Sequence, residues 1–223
     1  MNTANPVCPL RFTLVLAAGL VLTACGGNPP PAQGYVRVCN SGEQAGAGSC
    51  PVSPVLGTAA GEWACTRDTT TGLLWEVKQP TGSGLRDWLN TYTSFDSTTQ
   101  VQQSTNLNQG FPTQAQIDAP GNAAGYARAL NGLTSLPPLC GKANWRVPTR
   151  PELRGLVLGT AFPFVDAPFF PNTIDLETLT STPHTVSGLP VTNAVAVVSF
   201  FSGSDTGAAQ RDTPRSLRLV ASP

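Results

Sequence analysis

The chain has 223 residues with 13 basic and 13 acidic side chains, and charged residues make up only 12% of it. Glycine and proline are abundant, at 22 and 21 residues. This balance argues against the basic surface of a nucleic-acid-binding protein and favours one loop-rich domain with a sizeable core.

The N-terminus has the pattern of a signal peptide that ends at a lipid-acceptor cysteine. Arg11 supplies a positive charge, and residues 12–22 form an apolar stretch too short to span a bilayer. The following LTAC (22–25) resembles the bacterial lipobox, in which the cysteine is acylated and the chain is cut before it. The alternative is an ordinary secretory signal with a coincidental cysteine. Lipid on Cys25 predicts a membrane as partner, and Gly26 in place of aspartate favours the outer membrane.

Four segments follow from this interpretation. Residues 1–24 are the predicted signal peptide, and residues 25–34 are the lipidated cysteine with a proline-rich, semi-rigid tether. Residues 35–61 form a Gly/Ala-rich N-terminal extension, for which the sequence leaves open a mobile collar or a packed segment. The compact domain is predicted over 62–223.

The remaining cysteines predict disulfides, since their number is even and the predicted compartment is oxidising. Of the three possible pairings we favour one short-range disulfide, Cys39–Cys50, and one long-range disulfide, Cys65–Cys140. The alternative, a zinc site, lacks a C-x-x-C pair and a nearby histidine. No metal and no cofactor is predicted.

The compact domain opens with a predicted β-hairpin formed by residues 62–68 and 72–78. A two-residue period in the second strand places three side chains on one face: Leu73, Trp75 and Val77. Residues 80–119 are dominated by polar side chains, which is typical of a functional or mobile loop.

Two short helices are predicted next. The first begins at Asn122 as N-cap and carries one apolar stripe: Tyr126, Leu130 and Leu133. The second begins at Thr149, where Glu152 completes a capping box around Pro151, and runs to about residue 158.

Two strands are predicted near the C-terminus. Residues 194–201 are apolar except for Ser199, as in a buried strand. Residues 215–220 alternate, with Leu217 and Leu219 facing inward and Arg218 on the other face. Together they predict a terminal hairpin that closes the sheet.

Seven segments resemble, in the same order, the Lcl C-terminal domain family, which is named after the collagen-like adhesin of Legionella. They are CTRDTTTGLLWEV (65–77), LRDWLNTYTSF (85–95), LCG (139–141), WRVPTRPEL (145–153), FVDAPFFPNT (164–173), STP (181–183) and RLV (218–220). The resemblance implies an α+β fold, with a small antiparallel sheet, two short helices and long loops, C-type-lectin-like in style.

The same resemblance implies a secreted or lipid-anchored bacterial protein, and in the adhesin the domain is linked to binding of sulfated glycans. This chain departs from the family at two places. Ser94-Phe95 stands where aromatics are common, and residues 178–185 lack the family's tryptophan. These departures weaken the transfer of glycan binding.

The candidate ligand-binding residues are three arginines and one tryptophan. Arg146, Arg150 and Arg154 recur every four residues and suit sulfate or carboxylate groups. The alternative is that Glu152 pins Arg146 and that solvent surrounds the other two. Trp88 lies in the polar segment and is the tryptophan expected to be exposed, whereas the other three are expected in the core: Trp63, Trp75 and Trp145.

Catalytic residues are not predicted. His184 is the only histidine and lies in a Ser/Thr-rich stretch without a nucleophile elbow. Three acids near residue 170 are interpreted as solvated, not as calcium ligands: Asp166, Asp175 and Glu177.

The sequence therefore predicts a membrane-anchored, extracytoplasmic lipoprotein of the outer membrane, facing the periplasm or the cell surface. Its domain acts as a non-catalytic, adhesin-like or lectin-like module for glycan or envelope polymer. The alternative is a structural or assembly lipoprotein that acts through an envelope protein and has no ligand pocket.

Overall fold

The computed structural model describes residues 34–97, 101–102, 109–132, 138–158, 162–174 and 177–223. The predicted signal peptide, Cys25 and most of the tether lie outside the described residues, as do Leu133 and Asp175. Within the described ranges, no helix has the length and apolar character needed to cross a membrane.

The described elements are nine short or medium strands and three short helices. In chain order they are β1 (Tyr35–Cys39), β2 (Trp63–Asp68), β3 (Leu74–Glu76), β4 (Val101–Gln102), β5 (Gln109–Gly110), α1 (Gln114–Asp118), α2 (Ala123–Asn131), α3 (Arg150–Arg154), β6 (Glu177–Val186), β7 (Leu189–Ser199), β8 (Gly207–Gln210) and β9 (Val220–Ala221). Small antiparallel sheets with short helices confirm the predicted α+β class.

The first sheet has the order β1-β2-β3-β9, and every neighbouring pair is antiparallel. The predicted β2–β3 hairpin is confirmed. Strand β1 pairs with β2 from Tyr35 opposite Asp68 to Cys39 opposite Trp63. The start of the N-terminal extension is therefore an edge strand of this sheet. The sequence left open a mobile collar or a packed segment, and this part of the extension is packed.

The second sheet has the order β6-β7-β8. Its β6–β7 hairpin turns at Ser187 and Gly188, with φ angles of 53° and 81°. Two consecutive positive φ angles give a turn whose twist matches that of antiparallel strands, and glycine adopts this backbone without a steric penalty. The hairpin tip is exposed, with Val186 58% and Leu189 72% accessible.

The predicted terminal hairpin between residues 194–201 and 215–220 is wrong. β7 pairs with β6 and β8 instead, while Ser216 forms a parallel bridge with Thr178. Further along, Val220 in β9 pairs with Trp75 in β3. The C-terminal segment thus joins the two sheets to each other. An alternating pattern sets which side chains face the core, but it does not name the partner strand.

The helices begin where the sequence predicts and end earlier. α2 buries Tyr126 and Leu130 on one stripe, as expected. α3 ends at Arg154 and does not reach residue 158. From Gly155 onward the backbone bonds shorten to three-residue spacing, as in Leu156 N–H to Leu153 O at 3.1 Å. Glycine has low helix propensity, so the α-helix gives way to a tighter turn there.

The first sheet has apolar groups on both faces. One cluster joins the sheet to α2 and to the second sheet, and it includes Leu74, Tyr126 and Val195. The other cluster packs α3 and the 165–170 loop on the opposite face, around Trp75 and Phe170. All three tryptophans predicted in the core are at most 4% exposed: Trp63, Trp75 and Trp145.

Both predicted disulfides are confirmed. Cys65 in β2 is linked to Cys140, with a sequence separation of 75 residues, so the sheet is tied to the turn at 139–141. Cys39 at the end of β1 is linked to Cys50, 11 residues further on. The domain therefore carries one long-range disulfide and one short-range disulfide.

A buried carboxylate, Glu76, lies at the centre of a polar network between the sheet and α2. Its Oε1 is 3.1 Å from Lys78 Nζ and accepts a hydrogen bond from the Tyr126 hydroxyl, while Oε2 accepts one from Leu219 N–H at 3.0 Å. Burial raises the pKa of Glu76, but attraction to Lys78 and Arg86 and these hydrogen bonds outweigh it and lower the pKa. Glu76 is therefore a buried anion.

Two buried arginines accompany this carboxylate. Arg86 donates to the carbonyl oxygens of Ala64 and Val77, both at 2.7 Å. Arg218 donates to the backbone carbonyl of Glu76 at 2.6 Å, and burial lowers the pKa of Arg218 to about 10. Arg218 was expected on the face opposite Leu217 and Leu219, and it lies there, but that face is covered too.

Candidate functional site

A cleft of about 450 Å³ lies between the start of α2, the loop at 94–96 and the β6–β7 hairpin. Its lining is Ser94, Phe95, Asp96, Ala123, Ala124, Val147, Thr180, Ser181, Pro183, Pro190, Val191, Thr192, Val195 and Arg211. The volume lies in the range of small-molecule sites. Segments from the polar stretch 80–119 and from β6 therefore converge on one concave surface.

Asn122 positions one wall of the cleft. Its side-chain oxygen accepts a hydrogen bond from Phe95 N–H at 2.7 Å, and its amide donates to Phe95 O and Ile117 O at 3.2 and 2.9 Å. The residue occupies the predicted N-cap of α2, but its side chain makes no capping bond to the helix. The expected cap therefore serves instead as a fully buried brace that holds Phe95 beside Ala123 and Ala124.

Arg211 supports the same wall from behind. Its guanidinium donates to Ser94 O at 2.8 Å and pairs with Asp96 Oδ2 at 2.8 Å. Its backbone also accepts from Ser94 N–H at 2.8 Å. Burial lowers the pKa of Arg211, and the negative charge of Asp96 opposes that effect. The 94–96 loop is thus fixed by both the backbone and the side chain of one residue.

The opposite wall comes from β6 and the start of β7. Thr180 donates its hydroxyl proton to Ala196 O at 2.7 Å, and Ser181 N–H donates to Pro148 O at 2.8 Å. Pro183 pairs with Val195, and the register shifts on either side of it. The irregular register changes the course of the hairpin, so Pro183 and Pro190 both line the cleft.

The chemistry of the cleft is apolar and hydroxylic. Its floor is formed by Ala123, Val147 and Val195, with the Phe95 ring at one side. The hydroxyls of Ser181 and Thr192 lie in exposed positions on the opposite side. Such a surface suits a ligand that has both apolar faces and hydroxyl groups.

The structure places Arg146 outside the cleft. Its guanidinium forms a two-pronged pair with Glu152, at 2.9 and 2.6 Å. Glu152 also accepts bonds from the Thr149 backbone N–H and hydroxyl at 2.8 and 2.9 Å, as in the predicted capping box. The hydrogen bonds from Arg146, together with those from Thr149, lower the pKa of Glu152 to about 2. This is the arrangement that the alternative interpretation of Arg146 anticipated.

Arg150 and Arg154 also lie away from the cleft lining, on one face of α3. Arg150 is 3.2 Å from Asp205 Oδ2, and Arg154 Nε is 3.9 Å from the same oxygen. Trp88 is half-buried, and its indole N–H donates to the Thr81 hydroxyl at 3.0 Å. Trp88 lines a separate cavity of about 20 Å³, so the structure does not bring it together with the cleft.

The other candidates from the sequence are spread over the surface. His184 lies in β6 and not in a loop, and it is absent from the cleft lining, whereas Ser181 is part of it. Glu177 is 3.0 Å from Arg215. Within the described part of the chain, no three His, Cys, Asp or Glu side chains are grouped so that they would hold a metal ion.

Sequence reasoning missed Asp96, Arg211 and the two prolines as parts of one site. A local pattern carries no signal for them, because 115 positions separate Asp96 from Arg211 in the chain. From the sequence, Ser94-Phe95 is interpreted only as a departure from the family that weakens the transfer of glycan binding. Phe95 does line the cleft.

Comparison with known proteins identifies a family for the chain. No curated protein and no solved structure matches the chain. The model of the Lcl C-terminal domain matches residues 64–221, which is most of the chain. The chain belongs to the Lcl C-terminal domain family.

Proposed function

We propose that this protein is a lipid-anchored, non-catalytic binding module of the outer membrane that holds a glycan or envelope polymer in the cleft. The observation that carries the proposal is the cleft itself, with its braced walls, apolar floor and exposed hydroxyls. Membership of a family that includes an adhesin domain supports a binding role. The lipobox-like sequence before Cys25 supports the anchor.

A blocking substitution tests the cleft. Ala124 lines it on α2 and is partly exposed, so Ala124→Trp places an indole in the opening. Ala129→Trp is the matched control, because Ala129 is a partly exposed alanine of the same helix outside the lining. Residues 26–223, produced in an oxidising compartment, contain every described contact and serve as the soluble protein.

We expect this protein to bind members of an oligosaccharide array, Ala124→Trp to reduce binding at least about tenfold, and Ala129→Trp to leave it unchanged. Equal binding by both variants, or no binding by the parent protein, would contradict the proposal.

The anchor has its own test. Mass spectrometry of the protein extracted from its host is expected to show an acylated N-terminal Cys25, and Cys25→Ser is expected to release the protein from membranes. An unmodified chain that retains residues 1–24 would refute the anchor.

An assembly role through an envelope protein is the second candidate, favoured by an exposed aromatic pair. Phe162 and Phe201 are 55% and 57% accessible, with ring centroids 5.5 Å apart. Paired exposed aromatics are typical of protein interfaces. In-cell cross-linking distinguishes the roles: one dominant adduct that is lost in Phe162→Ser/Phe201→Ser but kept in Leu189→Ser supports assembly.

A further inference from the structure

We infer that the cleft selects an uncharged saccharide and rejects polyanions, because its accessible charge is a carboxylate and its arginine is covered. This inference rests on the proposal that the cleft is the ligand site. It separates the chain from the sulfated ligands that the family resemblance alone implied.

The charge arrangement of the cleft is the first step. Among its described lining residues, the charged side chains are Arg211 and Asp96, and they pair with each other at 2.8 Å. The Arg211 side chain is 10% exposed, whereas that of Asp96 is 38% exposed. The guanidinium therefore lies behind the carboxylate, and an entering sulfate or carboxylate meets negative charge first.

The orientation of Arg211 strengthens this conclusion. Its Nη1 donates to Ser94 O at 2.8 Å as well as to Asp96. A new anion would have to displace Asp96 and break the contact that fixes the 94–96 loop. The guanidinium charge of Arg211 is thus already committed within the protein.

The uncharged part of the lining suits a sugar ring. Sugar rings present C–H faces that pack on aromatic and proline rings, and hydroxyls around the edge that need donors and acceptors. The cleft offers Phe95, Pro183 and Pro190 for the C–H faces. For the sugar hydroxyls it offers the Thr192 hydroxyl and the Ser181 oxygen, which can still accept although its proton is donated to Pro148 O at 3.2 Å. The Asp96 carboxylate is an acceptor for sugar hydroxyls, and such a bond is stronger than one between neutral groups.

An extended peptide fits the same surface less well. A peptide that adds as a strand needs a regular row of backbone donors and acceptors. Beside the cleft, Pro190 has no N–H, and Asn193 O already accepts from Arg211 N–H at 2.9 Å. Both residues belong to β7, which pairs with β6 on one side and β8 on the other, so little of its backbone is left for a peptide.

The test compares neutral and sulfated probes on the protein of residues 26–223. Binding of maltotetraose, the N-acetylglucosamine tetramer and a heparin-derived tetrasaccharide is measured by calorimetry at low and high sodium chloride. We expect one of the neutral probes to bind, with an affinity that changes less than about twofold with salt, and the heparin probe not to bind.

Asp96→Asn is the decisive variant. The amide oxygen still accepts from Arg211, so the loop is kept, but the negative charge is gone. We expect the heparin probe to gain at least about tenfold in affinity, in a salt-sensitive manner. Asp118→Asn is the control, since Asp118 is a half-exposed acid outside the cleft whose loss should leave heparin binding unchanged.

The outcomes separate the two proposals. One outcome is that the unaltered protein binds heparin, and that both salt and Ala124→Trp abolish this binding. That outcome would overturn the neutral-ligand inference but leave the cleft as the ligand site. The saccharide inference would be overturned if none of the three saccharides binds. It would also be overturned if a displayed library yields a peptide whose binding Ala124→Trp blocks. Insensitivity of all binding to Ala124→Trp would overturn both.

Discussion

The most demanding prediction concerns Glu76, the buried anion between the sheet and α2. Glu76→Gln keeps the shape of the side chain and an oxygen that accepts from Tyr126 or Leu219. It removes the one negative charge that the described structure places against Lys78, while Arg218 and Arg86 stay buried beside it. Uncompensated buried cations are costly because water cannot solvate them.

The expected cost is about 3–5 kcal/mol, the range for breaking a buried ion pair by removal of one partner. In a domain of this size it corresponds to a fall of roughly 6–20 °C in Tm. Asp118→Asn is the matched control, because the Arg128–Asp118 pair has side chains 52% and 49% exposed. Loss of an exposed pair costs less than about 1 kcal/mol.

Guanidinium unfolding followed by tryptophan fluorescence measures both variants, since Trp75 and Trp145 are buried and report loss of the core. Lys78→Met added to Glu76→Gln is expected to recover part of the loss, because it removes one of the stranded cations. If Glu76→Gln is no costlier than Asp118→Asn, or if the two changes at 76 and 78 simply add, the electrostatic reasoning is wrong.

Two further predictions concern covalent and acid stability. Cys65→Ala/Cys140→Ala opens a loop of 75 residues and is expected to lower the free energy of unfolding by up to about 4.5 kcal/mol. Cys39→Ala/Cys50→Ala opens a loop of 11 residues and is expected to lower it by about 3 kcal/mol. Unfolding curves of equal midpoint for the two double variants would contradict the loop-length argument. The pKa of Glu152 is about 2 in the fold and 4.5 in its ordinary state, so its contribution is complete above about pH 4.5 and is lost as the pH falls towards 2. After allowance for solvent screening this is about 1–2 kcal/mol, and Glu152→Gln should flatten the acid limb of the stability curve; an unchanged limb would contradict it.

Local signals predicted local structure well. The start of α3 could be predicted because a capping box is a local pattern of four residues. In the structure the Thr149 side chain bonds the backbone N–H of Glu152, and the Glu152 side chain bonds the backbone N–H of Thr149. The disulfides could be predicted because four cysteines in the predicted oxidising compartment leave only three pairings. The three core tryptophans were readable from their apolar strand context.

Contacts between distant segments were not readable. The two-residue period placed Leu73, Trp75 and Val77 on one face and gave no signal for the burial of Glu76 and Lys78, which are at most 5% exposed. A two-residue period says which side chains share a face, but not what packs on the other face. The cleft escaped prediction for the same reason, since its walls come from three separate parts of the chain.

The edge position of β1 has a mechanical consequence. Tension that enters the domain from the N-terminal side reaches β1 first, and this strand has a neighbour on one side only. If β1 detaches, the Cys39–Cys50 disulfide keeps the residues between these two cysteines out of the path of the force. The Cys65–Cys140 disulfide likewise transmits the force directly between its two cysteines. Residues 66–139, which include Phe95 of the cleft wall, are therefore bypassed by the force as long as the second disulfide is intact.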